Sequence, residues 1–252
     1  MVELKDISKS YGEHKVIEML DLNIEKRKIT TFVGANGAGK STLLNMIARN
    51  VDSSSGRILI DGRDVSTIKD NEMAKHVSFL RQHNHLNVKL TVRELVCFGR
   101  FPHSGGRLKK TDITAVDSAI AYLGLDDIQH KYLDELSGGQ RQRAYIAMVV
   151  AQDTDYILLD EPLNNLDMKY ARQIMQTLRK LCDELGKTII IVIHDINFAA
   201  AYSDNIVAMK NGQIVKTGKI CEIVQPDTLK EIFGLDFEVA EVNNCRVCYY
   251  YR

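Results

Sequence analysis

The residues Gly34-Ala35-Asn36-Gly37-Ala38-Gly39-Lys40-Ser41, followed by Thr42, fit the pattern G-x-x-x-x-G-K-[ST] at every position. Glycines at 34, 37 and 39 let backbone N–H groups turn inward around phosphates. Lys40 is then placed for the β- and γ-phosphates and Ser41 for a hydroxyl contact to Mg²⁺. The competing reading is a chance glycine turn, and the strand-like KITTFVG before it and helix-like TLLNMIAR after it weigh against that. A triphosphatase also needs a carboxylate for the metal and a group that activates water. The segment DYILLDE offers both, because a buried apolar strand delivers Asp160 to its carboxyl end with Glu161 one step beyond. Strand alternation alone would turn these two side chains apart, but Pro162 forces the chain out of the sheet at that point. A second glycine turn, LSGGQRQR at Leu136–Arg143, opens another helical stretch, and Ser137, Gly138, Gly139 and Gln140 are suited to cap it or to face an anion.

These groups must be held by an alternating framework. The first sixty residues read as short β-runs, VELKDI, KVIEMLDLNI, KITTFVG and GRILIDG, which predict an antiparallel β-subdomain around the first strand–loop–helix unit. After the strand HVSFLRQ, which ends near Gln82, the texture turns helical through VRELVCFG and DITAVDSAIAYLG. This predicts an all-helical block over about 83–136. Helix QRQRAYIAMVVAQ, strand DYILLDE, helix KYARQIMQTLRKLCDELG, strand TIIIVIH and a helix around NFAAAYS then alternate. Buried strands between amphipathic helices predict an α/β fold with a parallel sheet. Asn211-Gly212 marks a two-residue hairpin turn, and a short helix from Pro226 precedes a β-prone tail over 238–252.

Composition narrows the function classes. The 252 residues are 45% apolar, enough for a substantial core, and carry 33 basic against 33 acidic side chains. That balance recruits neither nucleic acid nor an anionic lipid surface. The longest apolar runs fall far short of a bilayer span and the start MVELKDISKS has no signal-peptide core, so the chain is expected in the cytosol. Five scattered cysteines suit reduced thiols, and the single pair Cys245 and Cys248 is read as part of a strand rather than a metal site. His83 and His85 are read as surface residues, and Arg107-Leu108-Lys109-Lys110 as a solvated helix start.

With LSGGQ lying behind a helical block and just before DYILLDE, the chain from about 2 to 237 resembles the ATP-binding cassette (ABC) family. That resemblance implies a P-loop NTPase with a RecA-like core, an N-terminal β-subdomain and an all-helical signature subdomain, using ATP and Mg²⁺. It implies that Tyr11 stacks on adenine, where a packed hairpin tyrosine is the competing reading. It implies that Gln82 touches the metal or the attacking water, and that Ser41 and Asp160 join it in the metal shell. By the same resemblance Glu161 is the general base, and Lys40 and His194 stabilise charge on the γ-phosphate. Asp167, in Asn165-Leu166-Asp167, lies where two cassettes meet, or simply caps the next helix. In the resembled family the signature turn Ser137–Gln140 covers ATP held on a second cassette, so a head-to-tail homodimer is expected.

The segment TVRELVCFGRFPHSGG is similar to importers of iron–siderophore complexes, the resemblance resting on Arg100, Phe101, Pro102 and His103. The implied partners are membrane permease subunits and an extracytoplasmic siderophore-binding protein, with no nucleic acid, at the cytoplasmic face of the membrane. Haem, vitamin B12 or metal importers and, further off, a soluble ABC ATPase remain the alternatives.

Overall fold

A computed structural model describes residues 1–82, 88–164, 166–243 and 245–251. His83, His85 and Asn165 therefore lie outside the described residues. The chain divides into two compact units, one of 1–68 with 188–252 and the other of 69–187.

The first unit begins with β1 (Val2–Tyr11) and β2 (His14–Ile24), an antiparallel pair. Next come β3 (Ile29–Val33), α1 (Lys40–Ile47), β4 (Ser55–Ile60) and the short β5 (Arg63–Asp64). Strands β2-β1-β4-β5 form one antiparallel sheet in that order, as the β-rich start predicts. All five residues of β3 are buried, the pattern of a strand covered on both faces, and β3 stays out of that sheet.

The second unit runs through α2 (Asp70–His76), β6 (Val77–Leu80), α3 (Val92–Phe98), α4 (Phe101–Ser104), α5 (Lys110–Tyr122), α6 (Gly138–Ala151), β7 (Tyr156–Asp160) and α7 (Met168–Leu185). Strands β6 and β7 pair in parallel, from Val77 opposite Tyr156 to Leu80 opposite Leu159. Thr91 and Glu94 close a reciprocal capping box at the start of α3, which explains why that helix begins there. Helices α3 to α5 lie within the described part of the stretch that the sequence reads as helical.

The chain then returns to the first unit with β8 (Thr188–Val192), α8 (Ile196–Tyr202), β9 (Asn205–Lys210) and β10 (Gln213–Lys219). Strand β3 pairs in parallel with β8 on one side and β9 on the other. The β9–β10 hairpin turns at Asn211 and Gly212, both with positive φ, as the Asn-Gly signal predicts. Short helices α9 (Ile220–Ile223) and α10 (Pro226–Phe233) lead to a two-stranded hairpin of β11 (Glu238–Val242) and β12 (Cys245–Tyr249). Cys245 is exposed and Cys248 buried on that strand. Among the described residues no helix is long and apolar enough to cross a membrane.

Candidate functional site

The glycine loop follows β3 directly and is shaped by its neighbours. A side chain at Gly34 would stand 2.0 Å from the Met209 carbonyl oxygen, so the loop can lie this close to β9 only with glycine there. The Gly212 N–H donates to the Ala38 carbonyl at 3.2 Å, so the β9–β10 turn also braces the loop. Lys40 is buried, and its Nζ donates to the carbonyls of Gly34 (2.8 Å) and Ala35 (2.9 Å), closing the loop around an ammonium group. Gly39, at the N-cap of α1, has no side chain with which to cap the first turn, and such a helix start suits an anion. Asn36 and Gly37 are exposed at the loop's rim, while Ser41 and Thr42 are partly buried in the first turn of α1.

In the second unit, β7 ends at Asp160, which is buried. Glu161 leaves the strand in the left-handed region at φ 50, a conformation that costs free energy in a residue with a side chain. The chain then turns over Pro162, and the Asn164 N–H returns to the Glu161 carbonyl at 3.3 Å. This turn brings the Asn164 amide onto the Glu161 carboxylate, where its Nδ2 donates to Oε2. The same oxygen accepts from Gln82 Nε2 at 2.5 Å. The structure therefore joins two of the expected site residues, Gln82 and Glu161, and adds Asn164, which nothing in the sequence reading singled out. A tetrapeptide Glu-Pro-Leu-Asn is itself a β-turn signal, and that signal could have placed the fourth residue beside the first.

Ser137 caps α6 through a reciprocal pair, its Oγ accepting from the Gln140 N–H at 3.3 Å and its N–H donating to Gln140 Oε1 at 3.0 Å. The two glycines of the turn differ. A side chain at Gly139 would meet the Tyr170 ring at 2.8 Å, whereas one at Gly138 would meet nothing within 4 Å. Asp167 caps α7 by accepting from the Tyr170 N–H at 3.0 Å, so Asp167 and the signature turn flank the same tyrosine. Gln142 Nε2 donates to the Pro162 carbonyl at 3.0 Å and ties α6 to the Glu161 turn.

His194 is exposed in the first unit, between the end of β8 and α8. Before it, the Ile193 N–H donates to the Phe32 carbonyl at 3.3 Å. After it, the Asp195 carboxylate accepts from the N–H groups of Asn197 (2.7 Å) and Phe198 (3.2 Å). Tyr11 closes β1 with its ring exposed and the Lys9 ammonium 4.9 Å from the ring centroid. That exposure goes against the packed-hairpin alternative.

Arg100, in the segment similar to siderophore importers, is a structural residue. It is buried, donating to Asp112 Oδ1 at 3.0 Å and to the Ala151 carbonyl at 2.8 Å. The Lys109 N–H, with the Arg100 guanidinium beside it, holds the Asp112 carboxyl below the usual carboxylate range. Removing one partner strands the other's charge in the helical block. We expect Arg100→Ala to lower the thermal midpoint by more than about 5 °C, read by differential scanning fluorimetry. Phe101, next to it, remains exposed, as does Phe98.

By residue chemistry alone, the residues that the resemblance assigns to a metal, Ser41 in the first unit and Gln82 and Asp160 in the second, offer a hydroxyl, an amide and a carboxylate, hard oxygen ligands of the kind Mg²⁺ takes beside phosphate and water. No cluster of three His, Cys, Asp or Glu side chains suited to a metal occurs among the described residues, so the set contains no self-sufficient cage for a softer ion.

A family model described as ABC transporter matches residues 17–164. The chain is 53% identical over 251 residues to the petrobactin import ATP-binding protein YclP of Bacillus subtilis (strain 168), covering 100% of both chains. It is 40% identical over 231 residues to the iron(3+)-hydroxamate import ATP-binding protein FhuC of the same strain, covering 91% of this chain and 86% of that one. Among solved structures it is similar to the ATP-binding cassette MJ0796, seen as a dimer in a post-hydrolysis state bound to ADP and Pi. The identity there is 32% and the TM-score 0.78, covering 87% of this chain and 99% of that one.

Proposed function

This chain belongs to the ABC transporter family, and we propose that it is the ATP-hydrolysing subunit of an importer for iron(III)–siderophore complexes, petrobactin being the first cargo to test. The observation that carries the catalytic reading is the bond from Gln82 to Glu161, which puts the second residue beyond β6 on the carboxylate after β7. In the reaction, water attacks the γ-phosphorus of ATP. A new P–O bond forms, the bond to the bridging β–γ oxygen breaks, and ADP leaves with inorganic phosphate. Glu161 takes the proton of the attacking water, and Gln82 and Asn164 orient its carboxylate. Lys40, the N–H groups of Gly34 to Thr42 and His194 hold the phosphates and spread the charge that develops on them. Ser41, Asp160 and Gln82 would hold Mg²⁺, which when bound would supply further neutralisation of phosphate charge. Tyr11 offers an exposed aromatic face to the adenine.

Cassettes of this family dimerise and work with membrane permeases. We read this chain as a homodimer, in which Ser137 to Gln140 of one copy close over the ATP of the other and Asp167 lies at the seam. The exposed rings of Phe98 and Phe101 are the docking face for the permease subunits on the cytoplasmic side of the membrane. A siderophore-binding protein outside the membrane delivers the cargo, which never touches this chain.

Cells that depend on this gene for iron test the cargo. With ferric petrobactin as sole iron source, deletion abolishes growth, and the intact gene restores it while a Glu161→Gln copy does not. Unimpaired growth of the deletion strain would reject the cargo and leave the ATPase assignment standing.

A further inference from the structure

We propose that the C-terminal β11–β12 hairpin is a positioning element for His194, acting through Asn197. This rests on the reading of His194 as a γ-phosphate contact. The Asn197 side chain holds the backbone of Cys248 from both sides, accepting from its N–H at 2.7 Å and donating Nδ2 to its carbonyl at 3.2 Å. A side-chain amide that satisfies both groups of one β12 residue extends the strand's own hydrogen bonding onto α8. Asn197 lies in the first turn of α8, and its own N–H is one of the two that bind Asp195, the residue after His194.

The rest of the hairpin is anchored to the same region. Cys248 and Phe237 are buried in one apolar cluster with Ile196 and Ala199 of α8 and with Val33, which directly precedes the phosphate loop. Tyr250 packs on Phe237 with ring centroids 5.1 Å apart. On its other side the hairpin is tied to α9, where Arg246 Nη1 donates to the carbonyls of Cys221 (3.1 Å) and Val224 (2.6 Å). The start of α8 is therefore held at its β8 side by the parallel sheet and from outside by the hairpin. If the hairpin is released, the His194–Asp195 link loses one of its supports. The side chain that must meet a phosphate within a few tenths of an ångström then samples a wider range. Burial in the docked hairpin pushes the Cys248 thiol up to about 11 and suppresses its thiolate.

Full-length wild type, Asn197→Ala, His194→Ala and the double variant separate the possibilities. Affinities for ADP and for a non-hydrolysable ATP analogue are measured by titration calorimetry, and alkylation of Cys248 is followed by mass spectrometry. Asn197→Ala is expected to lower the preference for the triphosphate by roughly three- to tenfold without weakening ADP, and to make Cys248 reactive. It should add nothing in the His194→Ala background, because both act through one contact. A preference unchanged in Asn197→Ala while His194→Ala lowers it overturns the inference. A preference unchanged in His194→Ala overturns the reading of His194 itself. Equal losses for both nucleotides would mark Asn197 as merely structural. Should Asn197→Ala not fold, Asn197→Ser, which keeps a hydroxyl for the Cys248 N–H, carries the same comparison.

Discussion

Replacing Glu161 with glutamine should reduce ATP hydrolysis by roughly 10²- to 10⁴-fold while ATP still binds. The geometry explains why the substitution is clean. Two donors to the Glu161 side chain, Gln82 and Asn164, end on one oxygen, Oε2. A glutamine amide oxygen can accept from both, so the turn over Pro162 and its φ 50 residue keep their supports. What is lost is the capacity to take a proton from water. On the proposed reading the nucleotide is held by the phosphate loop, whose Lys40 bonds to the Gly34 and Ala35 carbonyls do not involve Glu161, so binding is expected to survive the change. With hydrolysis blocked, the ATP-bound dimer persists instead of opening, because the γ-phosphate is the contact that distinguishes the two states. Phosphate release, together with light scattering on a sizing column with ATP and Mg²⁺, reads both effects. Turnover at the wild-type rate would remove Glu161 from the role of base.

How far these roles were legible in the sequence depends on the range of the forces that set them. The glycine loop was readable because its requirements are local: a strand, a positive-φ turn and a helix start follow one another in the chain. The apolar run Tyr156–Leu159 likewise announced a buried strand that ends on a carboxylate. Asn164 was missed because its type is ordinary in a loop, and only the closed turn shows that it returns to Glu161. Arg100 carried a resemblance in the sequence but no structural role, because two of its acceptors lie far along the chain at Asp112 and Ala151, on other helices. No local pattern reports such a pairing. The tail shows the same limit, since β-propensity predicts its strands but not the bonds from the amide of Asn197, on an earlier helix, to the Cys248 backbone. Periodicity thus recovers elements and their ends, while side-chain bonds between distant elements require the fold.

Substituting Ser137 by arginine should leave nucleotide binding intact and abolish hydrolysis. Within the chain, the loss is small. Ser137 is the cap of α6, and removing such a cap costs about 1 kcal/mol, or roughly 2–4 °C in the melting midpoint. The larger effect comes from the face that Ser137 and Gly138 expose. Gly139 is required by its own fold, because the Tyr170 ring leaves no room for a side chain, but nothing in the chain crowds Gly138. If the open space beside Gly138 belongs to the nucleotide of a second copy, an arginine at 137 fills it and the composite site cannot close. Mixing then separates the two arrangements. A Lys40→Ala chain has a defective phosphate loop and an intact signature turn, and a Ser137→Arg chain has the reverse. A mixed dimer holds one site built from the two intact halves. Hydrolysis that appears on mixing, from two chains inactive alone, requires the signature turn to act across the dimer. If both halves of a site came from one chain, no combination of these variants could restore it.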